Sequence, residues 1–230
     1  IFQVGLRGGW QGIVFSRSNV VIQSSLNSFD DPVLVAGSAA GANLESFVYA
    51  SMNTFYQAAI SFVGQNYGAA KCGRVDRVAR LCVGFAVVFG LVLGNLVYLF
   101  GTPLAGIYAP GEPDVIKQAL VRMGYICCPY FICGIMDVLV GVLRGLGSSI
   151  IPMFTSIVGA CGLRLLWVAF VFPVYRTPAC LYLSYPVTWS ITALFHLLFL
   201  MLVVRRRAFS KVRSNGPAYL STEGLHPEQP

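Results

Sequence analysis

We single out four ionisable side chains as lying deep within long apolar stretches of this sequence: Arg17, Glu45, Asp137 and Arg164. A charge at the centre of a membrane helix costs about 2.5–3.5 kcal/mol on insertion scales, so each one needs a partner, a water-filled cavity or a function. Carboxylates in such positions can hold a cation or exchange a proton. The sequence has no HExxH motif, and its cysteines lack the paired spacing of zinc ligands, so no metal site is expected.

Asp137 lies about two helical turns before Arg144, which places it roughly 10 Å inside one end of an apolar segment. This depth suits a group that exchanges a proton, because a bound cation and a proton would compete for the same carboxylate. The alternative is a structural ion pair between Asp137 and either Arg164 or Arg144. The sequence leaves both roles open.

Glu45 shares one helical face with two tyrosines, a methionine and an asparagine. These side chains follow it at offsets of four, seven, eight and eleven residues, as Tyr49, Met52, Asn53 and Tyr56. Aromatic rings attract cations and methionine adapts its shape, so this face is predicted to bind a cationic, amphipathic substrate. Interhelical packing around a hydrogen-bonded Glu45 is the open alternative.

The arginines are expected to have mainly structural roles. Arg164 lies within an apolar segment beside Trp167 and cannot readily lose its proton, so it should pair with a carboxylate or with carbonyl oxygens, and a structural counter-ion role is expected for it. Arg144 is expected to anchor the membrane surface or to pair with a carboxylate. Arg17 lies nearer the end of its segment, where its side chain can reach the surface.

The composition places the chain in a membrane. Of its 230 residues, 56% are hydrophobic and 11% are charged, whereas soluble domains carry about 25% charged residues. The net charge of +7 comes from basic residues between and after the apolar segments. That placement is typical of membrane topology and argues against a nucleic-acid partner.

Six apolar segments are long enough to cross the hydrocarbon layer as helices. They lie at residues 9–29, 34–66, 78–101, 115–143, 149–173 and 181–204. The sequence therefore predicts an all-α integral membrane lobe of six transmembrane helices over residues 1–206. Residues 207–230 are polar and cannot bury an apolar face, so they are predicted to form a disordered cytoplasmic tail.

The distribution of Lys and Arg predicts the orientation of these segments. Lys71, Arg74 and Arg77 follow the second segment, and residues 205–213 form a basic cluster after the last one. The alternate connections contain acidic residues such as Glu112. Because basic connections stay on the cytoplasmic side, both ends of the chain are predicted to be cytoplasmic in a multi-pass protein of the plasma membrane.

Four strings near the ends of the segments go beyond composition. They are SFVGQNYGAAK at 61–71, LRGLGSSIIPM at 143–153, CGLRLLW at 161–167 and SYPVTW at 184–189. Their order and spacing resemble the second half of the multidrug and toxic compound extrusion (MATE) family over roughly residues 1–206.

The resemblance implies a twelve-helix antiporter made of two six-helix lobes, which expels mostly cationic, amphipathic compounds in exchange for protons or sodium. It also implies an absent amino-terminal lobe of the same polypeptide as a partner, contact with membrane lipid, and no cofactor besides the coupling ion. The start at Ile1, without a methionine, fits a chain that begins within a longer protein. Acidic residues on the corresponding helix serve coupling in some members, which implies that role for Asp137.

Three other functions remain open at this point. A flippase of lipid-linked saccharides from the same superfamily would share these features. A membrane-embedded enzyme has little support, since the only histidines, His196 and His226, lie far from any obvious nucleophile. A six-helix channel that dimerises is the third possibility.

Overall fold

The computed structural model describes residue 16 and residues 18–214, with side chains described up to residue 203. These residues form helices and connections, with no strand among them. The helices are α1 (18–27), α2 (Pro32–Gly68), α3 (Cys72–Leu99), α4 (Gly101–Tyr108), α5 (Pro113–Ile126), α6 (Tyr130–Gly145), α7 (Ile150–Val171) and α8 (Pro178–Ser214). The predicted all-helical fold is confirmed.

Three of the described helices are long and apolar enough to cross a membrane: α3, α7 and α8 as far as Val203. A fourth crossing is added if α5 and α6 count as one bent span. The 37-residue α2 is long enough but is not among them, because polar residues occupy one of its faces. The predicted total of six crossings stays a prediction.

The predicted fourth segment, 115–143, is wrong as a single continuous helix. It is divided into α5 and α6, which meet at an angle of 49°. Pro129 lies at the break; it has no N–H to donate and it disfavours helical backbone at the residue before it. Here the amide of Tyr130 bonds the carbonyl oxygen of Cys127 at 3.2 Å, which closes a tight turn.

Glycines let α3 and α6 approach their neighbours closely. A Cβ atom added at Gly90 would lie 2.7 Å from the Cα of Phe131, and one at Gly94 would lie 2.1 Å from the carbonyl oxygen of Cys127. Close approach through small residues is a common basis of helix packing in membranes. The GxxxG pair on α3 therefore packs directly against the bend between α5 and α6.

The α2 and α6 helices run side by side in the same direction. A Cβ atom at Gly141 would lie 2.7 Å from the carbonyl oxygen of Tyr56, and one at Gly145 would lie 2.8 Å from the Cβ of Val63. The close approach at this end therefore comes from the glycines of α6. Gly68, near the end of α2, has no atom within 4 Å of an added Cβ.

The α7 and α8 helices form an antiparallel pair. The indole Nε1 of Trp167 donates to the carbonyl oxygen of Cys180 at 3.0 Å, and Gly159 packs against Thr192. Within α7, residues Ile157–Gly162 and Trp167–Val171 are π-helical. These wider turns flank Leu163–Leu166, the short α-helical stretch that contains Arg164.

The outer surface of the bundle is apolar. Exposed large side chains on α3 recur at helical spacing, as expected for a face turned toward lipid. They are Phe85, Val88, Phe89, Val92, Leu96 and Leu99. The last helix continues to Ser214, within the segment predicted as a disordered tail; residues 215–230 and Arg17 lie outside the described residues.

Substitution of Gly94 by alanine tests the packing of α3 on the bend. The added methyl group would meet the backbone of Cys127, which cannot rotate away, so the variant should lose about 1–3 kcal/mol of stability by overpacking. Thermal unfolding of the purified full-length protein measures the loss. Gly84→Ala on the same helix is the matched control, because no atom lies within 4 Å of its added Cβ. Equal unfolding temperatures for the two variants would contradict this packing.

Candidate functional site

A cavity of about 660 Å³ lies among α1, α2, α5, α6, α7 and α8. Its polar and aromatic lining comes from residues that are far apart in sequence. The lining includes Asn19, Gln23, Glu45, Ser46, Tyr49, Asn53, Tyr56, Arg122, Tyr130, Asp137, Arg144, Ser156, Arg164, Tyr185 and Trp189.

The structure places most of the predicted site residues on this cavity. Glu45, Tyr49, Asn53 and Tyr56 line it from α2. Met52 does not, because it lies at the edge of the same helical face, where it is fully buried in the core and faces Gly134 of α6. The cavity is therefore bounded on one side by an acid, an amide and two phenols.

Asp137 faces these residues from α6, together with Met136, Val140 and Arg144. Its side chain is only partly buried, so an ion in the cavity can reach it. The close contact that Gly141 and Gly145 permit sets the separation between α6 and α2. The packing of glycines thus positions the carboxylate opposite the phenols.

The Arg144 guanidinium reaches across to α2. Its Nη1 donates a hydrogen bond to the hydroxyl of Tyr56, and its Cζ lies 5.7 Å from the centroid of that ring. Arg144 also lies close enough to Asp137 for an electrostatic attraction between the guanidinium and the carboxylate. A cation and a carboxylate therefore share one wall of the cavity.

Arg122 of α5 is a site residue that the sequence analysis missed. Its Nη2 lies 2.7 Å from Oε2 of Glu45 in an ion pair, and its Nη1 donates to the hydroxyl of Ser38 at 3.1 Å. The rings of Tyr182 and Tyr185 lie 5.5 and 5.7 Å from its Cζ. The sequence offered one sign of this role, since Arg122 lies within the predicted fourth segment, 115–143. Because it is near the start of that segment, it resembled a charge at the membrane surface.

The ion pair changes the role of Glu45. The side chain is 16% exposed and already neutralises a cation of the protein, so a substrate cation would have to compete with Arg122 for it. Gly41 makes the pair possible, because an added Cβ there would lie 3.1 Å from Cδ of Arg122. Glu45 is therefore first of all the counter-charge of a buried guanidinium.

Arg164 is almost completely buried, with 3% of its surface exposed. The expected partner was a carboxylate or carbonyl oxygens. Its Nη1 donates to Oδ1, the amide carbonyl oxygen of Asn19, at 3.2 Å, and its Cζ lies 4.0 Å from the centroid of the Tyr185 ring. The polar contacts found for this guanidinium among the described residues are thus with an uncharged amide and an aromatic ring.

Comparison with known proteins identifies the family. A sequence model described as MatE matches residues 11–169, well over half of the chain. The chain belongs to the MatE family. The match covers all helices from α1 to most of α7, and thus nearly every wall of the cavity.

Curated relatives carry names of the same kind. The chain is 27% identical over 160 residues to the probable multidrug resistance protein NorM of Thermotoga maritima, with 67% of this chain and 34% of that protein covered. It is 28% identical over 164 residues to the probable multidrug resistance protein YpnP of Bacillus subtilis, with 71% and 36% covered. The chain thus spans about a third of the length of these relatives.

Solved transporters share the fold. The Vibrio cholerae MATE transporter VcmN in its bent form superposes with a TM-score of 0.75 at 20% identity, over 86% of this chain and 44% of that chain. A MATE protein in complex with MaL6 gives a TM-score of 0.78 at 13% identity, over 90% and 46%. Together with the apolar helices, the family assignment supports a multi-pass membrane protein.

Replacement of Glu45 by glutamine tests the ion pair. The change leaves the buried Arg122 charge without its partner, so the variant should lose about 3–5 kcal/mol of stability. Removing both charges together, with Glu45→Gln and Arg122→Gln, should recover much of this loss, since the two positions are coupled. Thermal unfolding of the full-length protein gives the comparison.

The control for this comparison is Glu112→Gln, which removes an exposed carboxylate immediately before the first residue of α5. Surface changes of this kind usually stay within about 0.5 kcal/mol. A Glu45→Gln variant as stable as this control would show that Glu45 and Arg122 do not depend on each other.

Proposed function

We propose that this chain is the carboxy-terminal lobe of a secondary transporter that exports amphipathic, mostly cationic xenobiotics in exchange for protons or sodium ions. The observation that carries the proposal is the partly buried carboxylate of Asp137 on the cavity, opposite the phenols of α2. Membership in the family and the names of the relatives support the same direction.

The size and lining of the cavity suit such substrates. Pockets for drug-sized ligands typically measure about 300–1,000 Å³ and combine apolar walls with a few polar groups, and this cavity of about 660 Å³ falls in that range. Tyr49 and Tyr56 offer ring faces for a cation, and Asn53 offers an amide. Met52, behind this wall, supports the packing of α2 on α6.

Asp137 is the better candidate for ion coupling among the two carboxylates of the cavity. Both line the cavity, but Glu45 is held by Arg122 at 2.7 Å, whereas no ion pair is found for Asp137 among the described residues. A gradient can drive transport only if the ion binds two states of the protein with different affinity. We therefore assign to Asp137 the site where a proton or sodium ion and the substrate exclude each other.

The remaining elements of the proposal concern surroundings. The partner of this lobe is an amino-terminal lobe of the same polypeptide, and lipid covers the apolar outer face. Both ends of the chain lie in the cytoplasm at the plasma membrane, as the positive-inside rule predicts. The coupling ion is the sole non-substrate ligand required, so we propose transport without a cofactor and without enzymatic chemistry.

Asp137→Asn tests the coupling role in the purified full-length protein. The variant should bind a fluorescent cation such as ethidium but fail to accumulate it in proteoliposomes under an imposed proton or sodium gradient. Asp114→Asn, an exposed carboxylate in the first turn of α5, is the control and should transport normally.

Two outcomes would contradict the coupling role. Loss of the fold in Asp137→Asn would make the carboxylate a structural partner, and transport with unchanged proton and sodium dependence would exclude it from coupling. If the wild type moved a lipid-linked saccharide but no cation, the flippase would replace the proposed export function.

Cysteine labelling tests the proposed orientation in a cysteine-free background. A cysteine at position 112, before α5, should react with an impermeant reagent from outside the cell. A cysteine at position 71, before α3, should react with the same reagent only after the membrane is permeabilised, because this position is proposed to lie on the cytoplasmic side. Both native residues are exposed, so access depends on the side of the membrane. Labelling of position 112 only from the cytoplasm would reverse the orientation.

A further inference from the structure

The charges that line the cavity do not balance. Among the residues that the structure describes, three guanidinium groups, those of Arg122, Arg144 and Arg164, face two carboxylates, those of Glu45 and Asp137. An arginine in a protein keeps its proton, so this excess of one positive charge cannot be removed by titration of the guanidinium. A cavity meant for cations alone would not be expected to have it.

The contacts show which arginine carries the excess. Arg122 is paired with Glu45, and Arg144 bonds the hydroxyl of Tyr56 near Asp137. Arg164 contacts the Asn19 amide and the Tyr185 ring. The Nε atoms of Arg164 and Arg122 are both buried without a hydrogen-bond partner, but Arg122 has a carboxylate partner and no ion pair is found for Arg164 among the described residues.

We propose that Arg164, stacked on the ring of Tyr185, forms an anion subsite that binds the carboxylate of an amphipathic aromatic acid. A carboxylate would accept from the N–H groups of the guanidinium and neutralise the buried charge, as carboxylates bound to arginine commonly do. The proposal rests on the proposed export function, because it places a substrate group in the same cavity. It extends the substrate class from cations to compounds with an acidic group.

The surroundings favour an aromatic body on this acid. Tyr130 and Trp189 make an edge contact with ring centroids 5.3 Å apart, and Tyr185 and Trp189 make another at 5.7 Å. All three rings border the cavity beside Arg164. A flat apolar ligand could stack there while its carboxylate reaches the guanidinium.

The backbone around Arg164 adds a separate indication. The π-helical segments Ile157–Gly162 and Trp167–Val171 lie on either side of it. Such segments often occur at functional sites, because the wider turn changes the direction in which side chains point. Their place in α7 fits a residue that is held toward a ligand.

The test compares naphthaleneacetate with naphthaleneacetamide, which differ only in the acidic group. Binding to the purified full-length protein, in a detergent with an uncharged head group, is followed by calorimetry. The acid should bind about tenfold more tightly or better, as expected for a charge-assisted hydrogen bond. Arg164→Gln should abolish the preference, and Arg164→Lys should retain part of it.

The control is Arg80→Gln, which removes the same charge from an exposed position on α3 and should leave the preference unchanged. If Arg164→Gln does not fold, the wild-type comparison and Arg164→Lys still decide. Equal binding of acid and amide by the wild type overturns the proposal and indicates that Arg164 is neutralised by a group outside the described residues.

The result can be separated from a failure of the export function. Cation transport without a preference for the acid would reject the anion subsite alone. A preference for the acid that persists without cation transport would support the subsite and reject the cationic substrate class.

Discussion

Charge inside an apolar environment must be neutralised, and the ion pair between Glu45 and Arg122 is where this constraint acts most directly. It joins α2 to α5 at a distance of 2.7 Å between Oε2 and Nη2. The ion pair can form only if α2 and α5 lie close together, and Gly37 and Gly41 of α2 allow this close packing. An added Cβ at Gly37 would lie 2.6 Å from the carbonyl oxygen of Val115 in α5. Once this contact is fixed, the polar face of α2 must point into the bundle, and the cavity has its first wall.

The other walls of the cavity are built in the same way: small residues bring two helices close together, and charged residues beside them line the space. Gly141 and Gly145 bring α6 against α2, so that Asp137 and Arg144 line the space that Tyr49 and Tyr56 line from the other helix. The α7 and α8 pair adds Arg164 and the aromatic rings. Large apolar side chains such as Phe85 and Leu99 are exposed on the outer face, whereas Glu45, Arg122 and Arg164 are withdrawn into the bundle, an arrangement that suits an apolar surrounding.

Local patterns made much of this predictable. Apolar runs located most helices within a few residues, and the period of the helix gathered Glu45 and Tyr56 on one face, as found. The choice of partners was not predictable, because it depends on how separate helices align. Arg122 was therefore missed, the sequence could not choose between a carboxylate and a carbonyl oxygen as the partner of Arg164, and the break before Tyr130 was overlooked although Pro129 marks it.

The break has a mechanical consequence for the two carboxylates of the cavity. Arg122, which holds Glu45, belongs to α5, while Asp137 belongs to α6. The two sites therefore lie on the two helices of a bent pair. A change in the angle between α5 and α6 would alter the distance between the sites without unwinding either helix. Gly90 and Gly94 of α3 pack against this bend. A change in the angle would therefore require α3 to move as well, although no described residue of α3 lines the cavity.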